Sequence, residues 1–119
     1  MITYQKNSDN NIVEICVDGQ ITEADFERLA NCLKADINEH GELRLLEEVR
    51  YFEGVDPITL LKDILFGLSP VNDFTHAAVV IDAEWMSTYI QAIDNVLFTK
   101  VKAFDSAEIE DARNWLANS

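Results

Sequence analysis

The chain predicts an α/β protein: a mostly parallel five-stranded sheet with an antiparallel edge strand and four helices, in one domain over residues 1–119. Three observations carry this. Short alternating or wholly apolar runs take turns with segments of helical periodicity. Two strand-like runs at the start are separated only by the polar turn Asn7-Ser8-Asp9-Asn10-Asn11, which suits an antiparallel pair. Hydrophobic residues make up 48% of the chain, enough for a core without disulfide or metal staples. The order β-β-α-β-α-β-α-β-α then implies right-handed crossovers, parallel strands and helices on both faces.

Each element has a local reason. Residues 2–4 and 12–18 are the first two strands, with Val13, Ile15 and Val17 alternating against Glu14 and Asp18. Thr22 is an N-cap with Asp25 three residues on, so a helix runs from there to about His40. Phe26, Leu29, Leu33 and Ile37 form its apolar stripe, Glu23, Asp25, Glu27, Arg28, Lys34 and Asp36 its wet face, and Gly41 its left-handed end. Residues 43–49 are a strand, and the aromatic run 50–55 reads as a loop. Residues 72–75 read as a turn, and the almost wholly apolar 76–82 as a central strand. A helix is expected over 84–97, with Trp85, Tyr89, Ile93 and Val96 in register. Residues 99–104 form a last strand, whose Lys100 and Lys102 suit a sheet edge. Asp105 or Ser106 caps a final helix that turns Ile109, Ala112, Trp115 and Leu116 inward.

The stretch 56–68 has the clearest boundaries. Asp56 is a capping residue, Pro57 occupies the first helical position, and Pro70 stops the helix at Ser69. At ~100° per residue, Ile58, Leu60, Leu61, Ile64, Leu65 and Leu68 fill an arc of roughly 160°. Phe66 falls outside it, beside Thr59 and Lys62. A core helix with one half-exposed aromatic explains this pattern, and so does a movable helix over an apolar cavity.

Composition excludes more than it selects. There are 22 acidic against nine basic residues, a net charge of −13. That opposes nucleic-acid binding, which needs a basic face, and long-range attraction to anionic lipid. No basic segment followed by an apolar run opens the chain, and no run approaches the ~20 apolar residues of a membrane span. Cys16 and Cys32 lack metal or redox spacing and read as small buried hydrophobes, so a reducing, cytoplasmic setting is expected. His40 and His76 are far apart, and no acids cluster at ligand spacing, so no metal is expected. The four glycines are scattered and make no phosphate loop. No nucleophile, base and acid form a recognisable set, and the expectation is a chain that is not an enzyme and carries no cofactor. Asp82 and Glu84 follow the central strand, where open α/β sheets place ligands, although Asp82 also suits a helix cap.

An ordered set of residues resembles one known family. It comprises Gly19 ahead of the Thr22 helix, Phe52-Glu53-Gly54, Asp63 with Phe66-Gly67, Asp73-Phe74, and Ala78-Val79-Val80 with Asp82 and Trp85. Phe98, Phe104 and the closing Ala112-x-x-Trp115-Leu116 complete it. The set spans nearly the whole chain and resembles the SpoIIAA-like proteins, small bacterial relatives of the STAS domains whose fold is also compared with CRAL-TRIO lipid carriers. Val55 stands where the resemblance leads one to expect Trp, Leu61 where it expects an aromatic, and Leu65 where it expects a basic residue. The helix is therefore greasier than the pattern.

The expected function is non-enzymatic binding of an apolar or amphipathic small molecule, such as a lipid, beneath a movable helix 57–68. Phe52, Leu61, Ile64, Leu65, Phe66, Trp85, Met86 and Tyr89 are the expected lining. Lys62, Asp63 or Tyr89 would anchor a head group. Leu61, Leu65 and Phe66 are the surface offered to a membrane or a partner, with peripheral attachment to the inner membrane as a consequence. The alternative is a STAS-like regulatory module that uses the same helix to dock a protein partner or a second copy of itself. The resemblance also implies a phosphorylation site at the start of this helix, where Thr59 is the only hydroxyl at hand and Asp56 would repel the phosphate.

Overall fold

The computed structural model describes residues 1–6, 11–53, 59, 60, 63, 74–82, 84 and 99–119. Five strands form one mixed sheet in the order β1-β2-β3-β4-β5: β1 Ile2–Lys6, β2 Ile12–Gln20, β3 Leu43–Glu53, β4 Phe74–Val80 and β5 Lys100–Phe104. β1 runs antiparallel to β2, and every other neighbouring pair is parallel. Two α-helices lie among the described residues, α1 Glu23–His40 and α2 Ile109–Ala117. Thr59, Leu60, Asp63 and Glu84 also have helical backbone. The rest of the expected helices 57–68 and 84–97 lies outside the described residues.

The helices divide the core into two layers. α1 packs Leu29 and Leu33 on the face formed by Ile2, Val13, Ile15, Val17, Leu43, Leu45, Val49, Phe74, Ala77 and Val79. Leu60, fully buried, joins this same layer. α2 packs Ala112 and Leu116 on the opposite face, against Ile12, Leu46, Ala78, Val80 and Phe104. The wholly apolar segment Ala77-Ala78-Val79-Val80 follows from β4 being covered on both sides.

The ends of α1 are as expected. Thr22 Oγ1 accepts the Asp25 amide at 3.1 Å, and Asp25 Oδ2 accepts the Thr22 amide at 3.1 Å. The Thr22 backbone bond also draws the Asp25 carboxyl below its ordinary range. Gly41 closes the helix at φ 83°, donating to the Ile37 carbonyl at 2.7 Å. Its ψ of −61° differs from the left-handed helical value, but the positive φ still favours glycine. Asp105 precedes a 3-10 turn, Ser106–Glu108, before α2 begins.

Several boundaries differ from the sequence expectation. Residues 50–53 continue β3 rather than forming a loop, and Phe74 and Thr75 open β4 rather than closing a turn. β4 stops at Val80, β5 begins at Lys100, and β2 runs on to Gln20. Register irregularities explain the first two. β3 carries an extra residue where Val17 opposes Val49 but Asp18 opposes Tyr51. β4 carries one where Leu43 opposes Phe74 but Arg44 opposes His76. Each breaks the two-residue period, so strand looks like loop in the sequence. Asp36, assigned to the wet face of α1, is buried at 4% exposure. Cys16 and Cys32 are half-buried free thiols rather than core residues.

Candidate functional site

A concavity of about 260 Å³ lies at the carboxyl ends of β3 and β4, lined by Val49, Tyr51, Phe52, Ile81, Asp82 and Glu84, with Arg50. Its apolar floor is built by the sheet. Val49 and Ile81 are buried members of the α1-side core, and half-buried Phe52 packs against the same cluster. The bulge in β3 is what aims Phe52 there. In a regular strand Val49 and Tyr51 would share a face and Phe52 would oppose them. The extra residue shifts the phase, so Phe52, opposite Gly19, turns onto the Val49 face and Tyr51 is left 56% exposed.

The rim is polar. Tyr51 Oη donates to Glu53 Oε1 at 2.6 Å, and this bond raises the phenol pKa. Arg50 Nε donates to Glu48 Oε2 at 3.3 Å. Ser106 Oγ donates to Asp82 Oδ1 at 3.1 Å, tying the strand end to the turn that leads into α2. Cys16 neighbours Glu48, and burial followed by that carboxylate raises the thiol pKa.

Of the expected lining, Phe52 is described: it is half-buried and borders the concavity. Leu61, Ile64, Leu65, Phe66, Trp85, Met86 and Tyr89 lie outside the described residues, as do Lys62, Asp56 and Val55. Thr59 and Asp63 are exposed on helical backbone, while Leu60 between them is buried.

Two buried acids were missed by sequence reasoning. Glu47, at 0% exposure, sits on the α1-side face between Leu45 and Val49, opposite Ile15 and Val79. Its signal was positional, since Leu43, Leu45, Glu47 and Val49 share one strand phase. Asp36 follows Leu29 and Leu33 at helical spacing. Its Oδ2 accepts a hydrogen bond from Tyr4 Oη, and its Oδ1 accepts one from Lys6 Nζ at 3.4 Å. Burial, then the Asp36 bond, pushes the Tyr4 phenol pKa up. Lys6 also reaches Glu39 Oε2 at 3.4 Å. Asp36, Glu39 and His40 place one ligand atom each within 4.8 Å of one another, but the Lys6 ammonium already pairs with both acids. A second hollow of about 260 Å³ opens nearby between β1 and α1, lined by Ile2, Tyr4, Arg28, Leu29 and Cys32, with Asp25. Among the described residues no helix is long and apolar enough to cross a membrane.

Comparison with known proteins agrees with this architecture. A solved crystal structure of an uncharacterised protein from Shewanella loihica PV-4, described as having a SpoIIAA-like fold, superposes with a TM-score of 0.71 at 19% identity. The match covers 98% of this chain and 92% of that one. No curated protein matches the chain. The sequence profile of the SpoIIAA-like family matches residues 12–117, and with the mixed five-stranded sheet and its two-sided core already in place, this chain belongs to the SpoIIAA-like family.

Proposed function

We propose that this protein is a non-enzymatic binding module that takes up an apolar or amphipathic small molecule at the carboxyl ends of β3 and β4, under the expected movable helix 57–68. The observation that carries the reading is the β3 bulge, which turns Phe52 onto the Val49 and Ile81 floor of an open concavity. Bulges re-aim side chains beside binding sites. A volume of about 260 Å³ is below the ~300–1,000 Å³ of a pocket for a whole drug-sized ligand, so it suits one ring or a short length of acyl chain. Leu61, Ile64, Leu65, Phe66, Trp85, Met86 and Tyr89 would supply the remaining contacts. Membrane contact through Leu61, Leu65 and Phe66 belongs to the same reading.

Mass spectrometry of an organic extract of gently purified protein, with native mass spectrometry alongside, is the test. A stoichiometric apolar compound is expected, and Phe52→Asp is expected to lose it while keeping its circular dichroism spectrum. A native chain that carries no compound and does not bind cis-parinaric acid would sink the reading.

A second reading is a STAS-like regulatory module that docks a protein partner or a second copy through the same region. Tyr51 favours it, as a 56% exposed aromatic at the rim, the residue type that anchors interfaces. Thr59, exposed on helical backbone, is then the hydroxyl accessible to a kinase.

A further inference from the structure

We propose that the outer edge of β5, with the groove beside it, docks an extended acidic segment of a partner protein by adding it to the sheet as a sixth strand. Among the described residues β5 ends the strand order. The carbonyl of Phe104 accepts the Ile81 amide at 3.0 Å, so Phe104 turns its backbone groups toward the β4 side. In a parallel ladder the N–H and C=O of one residue face the same neighbour and alternate residues face the other way. Lys100 and Lys102 therefore bond inward, and Val101 and Ala103 present their amides and carbonyls outward. Such a row is a template for a partner strand.

The side chains choose the guest. Lys100 and Lys102 are both exposed, and among the described residues neither enters an ion pair. Lys102 Nζ lies 5.1 Å from the Phe104 ring centroid. Directly opposite residues in paired strands share a face, so a guest meets Lys100, Lys102 and Phe104 with three alternate positions. Acids suit the first two. The third opens on a groove of about 590 Å³, lined among others by Lys102, Phe104, Glu108, Asp111, Trp115 and Asn118. Glu108, in the turn before α2, and Asp111 on α2 reject a third acid, while Phe104 and half-buried Trp115, ring centroids 6.2 Å apart, accept an apolar side chain. The expected pattern is acid-x-acid-x-apolar, or its reverse for an antiparallel guest. A second copy offering its own β5 would set lysine against lysine. The other edge is less inviting, because Arg28 Nη2 donates to the Ile2 carbonyl at 3.4 Å.

The net charge of −13 repels an acidic partner at long range, so recognition depends on contacts at the edge itself. The probe is a fluorescein-labelled peptide, Thr-Glu-Val-Glu-Val-Leu-Thr, followed by anisotropy. The control is Thr-Glu-Glu-Val-Val-Leu-Thr, of equal composition with the alternation broken. The first peptide is expected to bind below about 1 mM, and at least about tenfold tighter than the control. Lys100→Glu with Lys102→Glu is expected to weaken it about tenfold or more. Ala103→Pro removes an outward N–H without touching the β4 ladder and is expected to abolish binding, with fold verified by circular dichroism. On the native chain, saturating peptide is expected to slow hydrogen exchange at the Val101 and Ala103 amides. The proposal is overturned by no binding at that concentration, by equal binding of the control or of the lysine variant, by protection at β1 instead of β5, or by a self-associated chain whose β5 amides are already protected.

Discussion

His76 shows how one half-buried side chain makes stability depend on pH. Its ring packs edge-on against Trp115, with centroids 5.5 Å apart, and its Nδ1 lies 3.0 Å from Thr75 Oγ1. Burial, then Lys100, then Arg44, lowers its pKa below the ordinary 6.5. The folded state therefore favours neutral imidazole, while the unfolded chain takes up a proton near the ordinary value. Stability from this group is complete above about pH 6.5 and is lost as pH falls below it, because there the unfolded state binds more protons. A His76→Gln variant is expected to show a shallower fall in urea midpoint between about pH 7 and 5 than the native chain. Superimposable profiles would remove His76 from the acid sensitivity. Residue identity had little to say about such placements. Asp36 was assigned to solvent because it is charged, yet its spacing from Leu29 and Leu33 placed it inward, where Tyr4 and Lys6 meet it. Glu47 was legible in the same way, from strand phase rather than from residue type.

At the scale of elements, legibility followed periodicity. The Thr22 cap, the Gly41 stop and the alternation of β2 could be read directly, since each is a local rule with one solution. The C-terminal part of β3 and the start of β4 could not, because a bulge in each breaks the alternation that marks a strand. The bulge also makes a prediction that a regular ladder reverses. Phe52→Ser is expected to cost about 1–2 kcal/mol in chemical denaturation, as a half-buried aromatic removed from the core edge. Tyr51→Ser is expected to stay within about 0.5 kcal/mol, as an exposed residue. The opposite ranking would mean that Tyr51, and not Phe52, faces the α1 layer, and the floor of the candidate site would have to be redrawn. Of that site, the sequence supplied Phe52 and the likeness to the family. It did not supply the phase shift that brings Phe52 beside Ile81, since that depends on pairing with β2.

Across the whole molecule the dominant quantity is charge. Twenty-two acids against nine bases leave −13 on a body of 36 × 33 × 26 Å. At about 0.01 M ionic strength the Debye length is ~30 Å, comparable to the molecule, so nearly every carboxylate repels every other. At about 0.15 M it is ~8 Å, and only near neighbours interact. Unfolding spreads the charges apart, so repulsion penalises the compact state most at low salt. The ion pairs act the other way. Arg113 Nη2 holds Glu14 Oε1 at 3.0 Å and Lys6 bridges Asp36 and Glu39, and screening weakens all of these. Partly exposed pairs contribute only about 0–1 kcal/mol each, while the excess of acids involves the whole surface. The net effect is therefore expected to be stabilisation by salt: the thermal midpoint should rise between about 0.01 and 0.15 M sodium chloride and then level off as the Debye length falls below the spacing of neighbouring charges. A midpoint that stays flat or falls over that range would mean that local pairs, and not net repulsion, govern the electrostatics of this fold.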